Sequence, residues 1–171
     1  MRKCDCSEPI PLTKVLLSLG SNLGDSSAVI NEAITIIAEG GFLSNIIVSS
    51  MYLTTPVGFT DQPQFTNAAI TGETTLCPHH LLDNLKQVEK LLGRIPRKQW
   101  HEREIDIDII LFGDQIVNQE DIQIPHARMH ERNFVLVPSA EIAPDSIIPQ
   151  TGLTISQMLA QCKDESNVLK I

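Results

Sequence analysis

The fold reading turns on Ile105-Asp106-Ile107-Asp108-Ile109-Ile110-Leu111-Phe112-Gly113. Branched and aromatic residues favour extended backbone, and successive side chains on a strand point to opposite faces. Ile105, Ile107 and Ile109 therefore share a core-facing side, and Asp106 and Asp108 share the other. Gly113-Asp114 offers a hairpin turn, with Ile116-Val117 beginning the return strand. Upstream, Pro78 opens a helix whose apolar residues Leu81, Leu82, Leu85, Val88, Leu91 and Leu92 keep helical spacing as far as Gly93.

Further toward the start, Asn67 to Thr75 reads as one strand and Phe42 to Leu53 as another. Ser26 to Glu39 carries a helical stripe of Val29, Ile30, Ala33, Ile34, Ile36 and Ile37 and stops at Gly40-Gly41. Val15 to Leu19 is a short apolar strand ended by Gly20. The order is β-α-β-β-α-β, which predicts an α+β domain with a ferredoxin-like βαββαβ core: an antiparallel sheet with two helices packed on one face. Past the hairpin, helices are expected near Val137–Glu141 and Thr154–Ala160. Residues 1–12 mix charge, serine and proline without periodicity and read as a loose leader before a single domain over 13–171.

The chain has 171 residues, 42% of them hydrophobic, which suits one domain with a core of its own. A formal charge of −8 argues against a nucleic-acid or membrane-surface partner, since both require a basic face. No apolar run approaches the roughly 20 residues that span a bilayer, and the first residues lack a signal-peptide core, so a cytoplasmic protein is expected. The cysteines at 4, 6, 77 and 162 form no Cys-x-x-Cys pair and read as free thiols.

Two carboxylates forced side by side repel unless a cation lies between them, and hard oxygens beside a phosphate suit magnesium. An acidic edge strand facing water would show the same spacing. Just upstream, Gly93 to Arg103 is basic within an acidic chain, holding four of its 13 lysines and arginines: Arg94, Arg97, Lys98 and Arg103. Such a cluster neutralises a polyphosphate beside a metal, although a solvated loop would look alike. Trp100, the sole tryptophan, stands among them and either closes over a ligand or pins the loop.

Trp100 to Gly113 resembles the signature of the 6-hydroxymethyl-7,8-dihydropterin pyrophosphokinases of folate biosynthesis. Three further blocks agree in the same order: Leu17 to Asp25, Thr54 to Ala69, and Ile124 to Pro138. The chain departs from that pattern at Phe65, where the family usually has tyrosine, and at His101-Glu102, where it has Gly-Pro.

The resemblance implies the ferredoxin-like fold and a reaction in which the pterin hydroxymethyl oxygen attacks the β-phosphorus of ATP and AMP leaves. It implies two magnesium ions on Asp106 and Asp108. Arg94, Arg97, Lys98, Trp100, Arg103, Ile109, His126 and Arg132 would hold ATP, with Arg94 and Arg103 joining the aspartates in catalysis. Thr54, Thr55, Val57, Gly58 and Asn67 would read the pterin edge, and Phe65 and Phe134 would sandwich its ring. The partners expected are thus small molecules, with the enzyme a monomer. Two other readings fit the fold: a two-metal nucleotidyltransferase releasing pyrophosphate, and a non-catalytic nucleotide- or pterin-binding domain.

Overall fold

Residues 11–55, 63–95 and 102–171 are described by the computed structural model. β1 (Thr13–Ser21) opens the fold, and the Asp25 side chain caps α1 (Ser26–Glu39) by accepting from the Ala28 N–H at 3.0 Å. Ile30, Ala33 and Ile37 form the buried stripe of α1, as their spacing requires. β2 (Ser44–Val48) and β3 (Tyr52–Thr54) follow, then the ten-residue β4 (Phe65–Thr74). Pro78 starts α2 (Pro78–Leu91), and β5 (Asp106–Phe112) completes the core order.

β1 pairs antiparallel with β4 on one side and β5 on the other. β2 and β3 lie in succession along the far edge of β4. Counted as one interrupted strand, they complete the split βαβ arrangement that the element order predicts. The interruption departs from the single strand that Phe42 to Leu53 predicts. At Ser49 the side-chain hydroxyl, in place of a ladder carbonyl, accepts from the Ala69 N–H at 2.9 Å, and pairing resumes only at Tyr52.

The expected return strand after Gly113-Asp114 does not form. β6 (Val117–Asn118) and β7 (Gln123–Ile124) instead make a separate two-stranded sheet. The outer edge of β5 is already occupied. A Glu89 oxygen accepts from the Ile107 N–H at 2.7 Å, and the His126 N–H donates to the Ile110 carbonyl at 3.0 Å.

A 3-10 turn at Met129–Glu131 leads into α3 (Asn133–Ile142), which begins four residues before the expected Val137. α4 (Ile155–Gln161) carries a capping box between Thr154 and Gln157. The chain then returns to the sheet as β8 (Val168–Lys170), which pairs with β3 and gives the strand order β5-β1-β4-β3-β8. No sequence pattern announced this last strand.

The sheet divides the apolar residues in two. Val15, Leu17, Leu19, Ile105, Ile107 and Ile109 pack with α1 and α2. Leu16, Ala69, Ile110 and Leu111 pack with α3 and α4 on the opposite face. Cys162 is a free thiol, but Cys77 is disulfide-bonded, which corrects the free-thiol expectation there. Among the described residues no helix is long and apolar enough to cross a membrane.

Candidate active site

Sheet register assembles the site. Gly20 on β1 stands opposite Asp106 on β5 and opposite Asn67 on β4, so these three residues form one row across three strands. Residues directly opposed in an antiparallel sheet point to the same face, and each strand step is about 4.8 Å. Asp106 and Asn67 are therefore about 10 Å apart across the row, with no side chain between them. A Cβ built on Gly20 would meet Asn67 Oδ1 at 3.0 Å, so the glycine is what keeps this floor open. Asp108 is one step along β5, opposite Ser18, on the same face as Asp106.

Two cations already attend Asp106. Arg94 Nη1 lies 2.7 Å from Oδ1, and Arg103 Nη1 contacts Oδ2. Arg94 also contacts Glu89, a carboxylate on α2 that is only 2% exposed. Lys86 donates to the same Glu89 oxygen at 3.0 Å, and the Ile107 N–H donates to it at 2.7 Å. Burial opposes the Arg94 charge, but Asp106 and Glu89 outweigh it and hold the guanidinium above its ordinary pKa.

Glu89 was absent from the residues singled out by sequence, although a signal existed. It lies four residues after Leu85, on the buried stripe of α2, where an apolar residue belongs. Asn22 was missed as well. Its side chain accepts from the Arg103 N–H at 2.8 Å and donates to the Pro63 carbonyl at 3.1 Å, tying the entries of β5 and β4 together.

Burial and the neighbouring Asp106 charge push the Asp108 carboxyl above the usual carboxylate range, with His126 pulling the other way. Two carboxylates in this position suit a hard divalent cation. Magnesium takes one or two protein carboxylates and fills its remaining positions with water and phosphate. Among the described residues no group of three or more His, Cys, Asp and Glu side chains forms an all-protein cage.

His126 Nε2 is 3.9 Å from Asp108 Oδ2, while its Nδ1 accepts from the Arg128 N–H at 3.2 Å. That bond fixes the tautomer with a proton on Nε2, facing the carboxylate. Burial lowers the His126 pKa, and Asp108 only partly offsets it. Burial also lowers that of Arg132, whose guanidinium senses both Asp108 and Asp106. Beside Asp108 lies an open cleft of about 330 Å³, lined by Leu82, Lys86, Ile109, Ile122 and His126 among others.

On the other side of Gly20, Asn67 Nδ2 donates to Thr54 Oγ1 at 2.8 Å, and both residues are buried. Phe65 is opposite Thr54 across β3 and β4 and is half-buried, and Thr55 is exposed at the end of β3. Phe134 stands at the start of α3, with the Arg132 guanidinium 5.6 Å from its ring centre. The sequence expectations at Val57, Gly58, Arg97, Lys98 and Trp100 fall outside the described residues, as does His101. Of the remaining expected residues, Ile109 packs on the opposite side of the sheet and reaches the site only where it lines the cleft beside Asp108.

A family model described as 7,8-dihydro-6-hydroxymethylpterin-pyrophosphokinase matches residues 16–144. A 2-amino-4-hydroxy-6-hydroxymethyldihydropteridine pyrophosphokinase of Haemophilus influenzae is 37% identical over 89% of this chain and 94% of its own length. One of the same name from Methylorubrum extorquens is 39% identical over 94% of this chain and 99% of its own. Among solved structures, the Plasmodium falciparum HPPK-DHPS with pterin and p-hydroxybenzoate superposes with a TM-score of 0.70 at 17% identity. That superposition covers 91% of this chain but 42% of the larger protein, and it bears on the fold alone. With the family model spanning most of the chain, and the two bacterial relatives aligned over nearly their full length, this chain belongs to the 7,8-dihydro-6-hydroxymethylpterin pyrophosphokinase family.

Proposed function

We propose that the protein transfers the terminal two phosphates of ATP to the hydroxymethyl oxygen of 6-hydroxymethyl-7,8-dihydropterin, releasing AMP, as an enzyme of folate biosynthesis. The observation that carries this reading is the Asp106–Gly20–Asn67 row. Asp106 and Asn67 share one face about two strand spacings apart, which supports assigning phosphate and metal to one end and the heterocycle to the other. A new bond forms between the hydroxymethyl oxygen and the β-phosphorus as the bond from that phosphorus to the oxygen retained by AMP breaks. The hydroxyl proton leaves to solvent.

Asp106 and Asp108 would hold two magnesium ions, which supply charge neutralisation on the phosphate oxygens. Arg94 and Arg103, now on Asp106, would reach the same phosphates, and His126 and Arg132, whose charges act on Asp108, would join them. The adenosine would occupy the cleft lined by Ile109 and Leu82, which opens beside Asp108. Thr54 and Asn67 offer the donor and acceptor that a pyrimidinone edge requires, with Phe65 and Phe134 as stacking faces. Arg97, Lys98, Trp100, Val57 and Gly58 retain the roles that the resemblance implies. The reading is of a single-domain, monomeric cytoplasmic enzyme whose partners are small molecules.

The test is product analysis with ATP, magnesium and the pterin. AMP and a pyrophosphorylated pterin are expected in equal amounts. Release of free pyrophosphate without AMP would overturn the reading in favour of nucleotidyl transfer, and binding without turnover would indicate a non-catalytic domain. Asp106→Asn and Asp108→Asn, each folded by circular dichroism, should lose at least about a thousandfold in kcat.

A further inference from the structure

The segment after α4 has no part in the reaction described above, yet it touches both halves of the heterocycle end of the site. Asp164 Oδ2 accepts from the Asn133 N–H at 2.8 Å, and Asn133 Nδ2 donates to the Asp164 carbonyl. Asn133 is the first residue of α3, between Arg132 and Phe134. The other Asp164 oxygen accepts from the Ser166 N–H at 2.9 Å, which folds the segment into a turn. Two residues later, Val168 stands opposite Thr54 in the β8–β3 ladder. Lys170 then pairs with Glu141 at 2.9 Å, and the Ile171 N–H donates to the Met51 carbonyl at 3.0 Å.

Residues 164–168 thus span from the start of α3 to Thr54 through hydrogen bonds at each end. The last turn of α3 meets β3 separately, where Glu141 accepts from the Ser50 amide and hydroxyl and from the Tyr52 hydroxyl; the brace is the link at the first turn, which carries Phe134, and it ends on Thr54. Phe134 is carried by a helix packed on the sheet, whereas Thr54 belongs to a three-residue strand on the outer side of β4. A stacking ring and an edge-reading pair grip a flat heterocycle only when their separation is fixed.

We propose that Asp164 is a positioning residue for pterin recognition: through Asn133 and the β8–β3 ladder it sets the spacing between Phe134 and the Thr54–Asn67 pair. The inference rests on the pterin reading of that end of the site. Arg132 is anchored separately, its N–H donating to the Met129 carbonyl, so the ATP end should be largely insensitive to the brace.

The experiment is steady-state kinetics of the full chain with Asp164→Ala, Asp164→Asn, Asn133→Ala and Phe134→Ala, alongside thermal melts. Loss of a hydrogen bond to a charged group should raise the pterin KM about tenfold in Asp164→Ala, with the ATP KM and kcat changed less than about twofold. Asp164→Asn keeps an acceptor oxygen and should recover most of that loss. If Asp164→Ala does not fold, Asn133→Ala decides the matter, with a raised pterin KM in support and an unchanged one against. Equal rises in both KM values overturn the proposal, because a merely structural residue would act on both substrates. Phe134→Ala should raise the pterin KM strongly. If it does so while Asp164→Ala and Asn133→Ala do not, the brace is wrong and the pterin reading stands. If Phe134→Ala leaves the pterin KM unchanged, the pterin reading falls and the brace falls with it.

Discussion

Burying a carboxylate costs several kcal/mol unless donors surround it. Glu89 meets that condition with Lys86, Arg94 and the Ile107 N–H on one oxygen. The Ile107 amide lies between Asp106 and Asp108, so Glu89 fixes both the strand beneath them and the arginine beside them. Glu89→Gln should therefore destabilise the fold by about 3 kcal/mol in denaturant titration, since a neutral amide leaves two cations poorly paired. It should also raise the ATP KM more than the pterin KM. Gly20 makes the converse prediction. An alanine there presses on Asn67, so Gly20→Ala should raise the pterin KM several-fold, and equal effects on both substrates would count against the row as described.

The elements that the sequence foretold are those whose pattern is local. α1, α2, β1 and β5 each carry their own apolar period, and Asp106 and Asp108 share a face by alternation alone. The missed features depend on partners distant in the chain. The break between β2 and β3 comes from Ser49 meeting Ala69, the lost return strand from Glu89 and His126 occupying the β5 edge, and β8 from the outer edge of β3. The same holds within the site, where Gly20 is an ordinary turn residue until register sets Asn67 beside it. β8 itself is held through Glu141, which accepts from Lys170, the Ser50 amide and hydroxyl, and the Tyr52 hydroxyl. Burial works against the Glu141 charge, but these bonds outweigh it and lower the pKa to about 2. A carboxyl held below its unfolded value stabilises the fold above that unfolded value, and the contribution fades as pH falls toward about 2. Wild type should accordingly melt above Glu141→Gln at pH 7, and the gap should narrow steadily between pH 5 and about pH 3 in thermal scans.

At the scale of the whole molecule the sheet is a partition. One face packs its apolar residues against α1 and α2, while the other carries the aspartates, Asn67, a second apolar cluster and the first turn of α3, with α2 reaching the site only at the β5 edge through Leu82, Lys86 and Glu89. Ile37 on α1 and Leu136 on α3 are both fully buried, so truncating either to alanine should cost about 2–5 kcal/mol. Their kinetic consequences should differ. A cavity behind the sheet, at Ile37, leaves the Asp106–Gly20–Asn67 row backed by β1, β4 and β5, whose ladders do not depend on that one side chain. A cavity at Leu136 lies one turn or less from Arg132 and Phe134 and loosens the helix that presents them. At a temperature well below both melting transitions, Ile37→Ala should retain near-wild-type kcat and KM values, whereas Leu136→Ala should raise both KM values several-fold. Denaturant titration establishes that the two variants are comparably destabilised, and steady-state kinetics then reads the partition directly. Equal kinetic damage from the two cavities would mean that activity follows global stability rather than the integrity of one face.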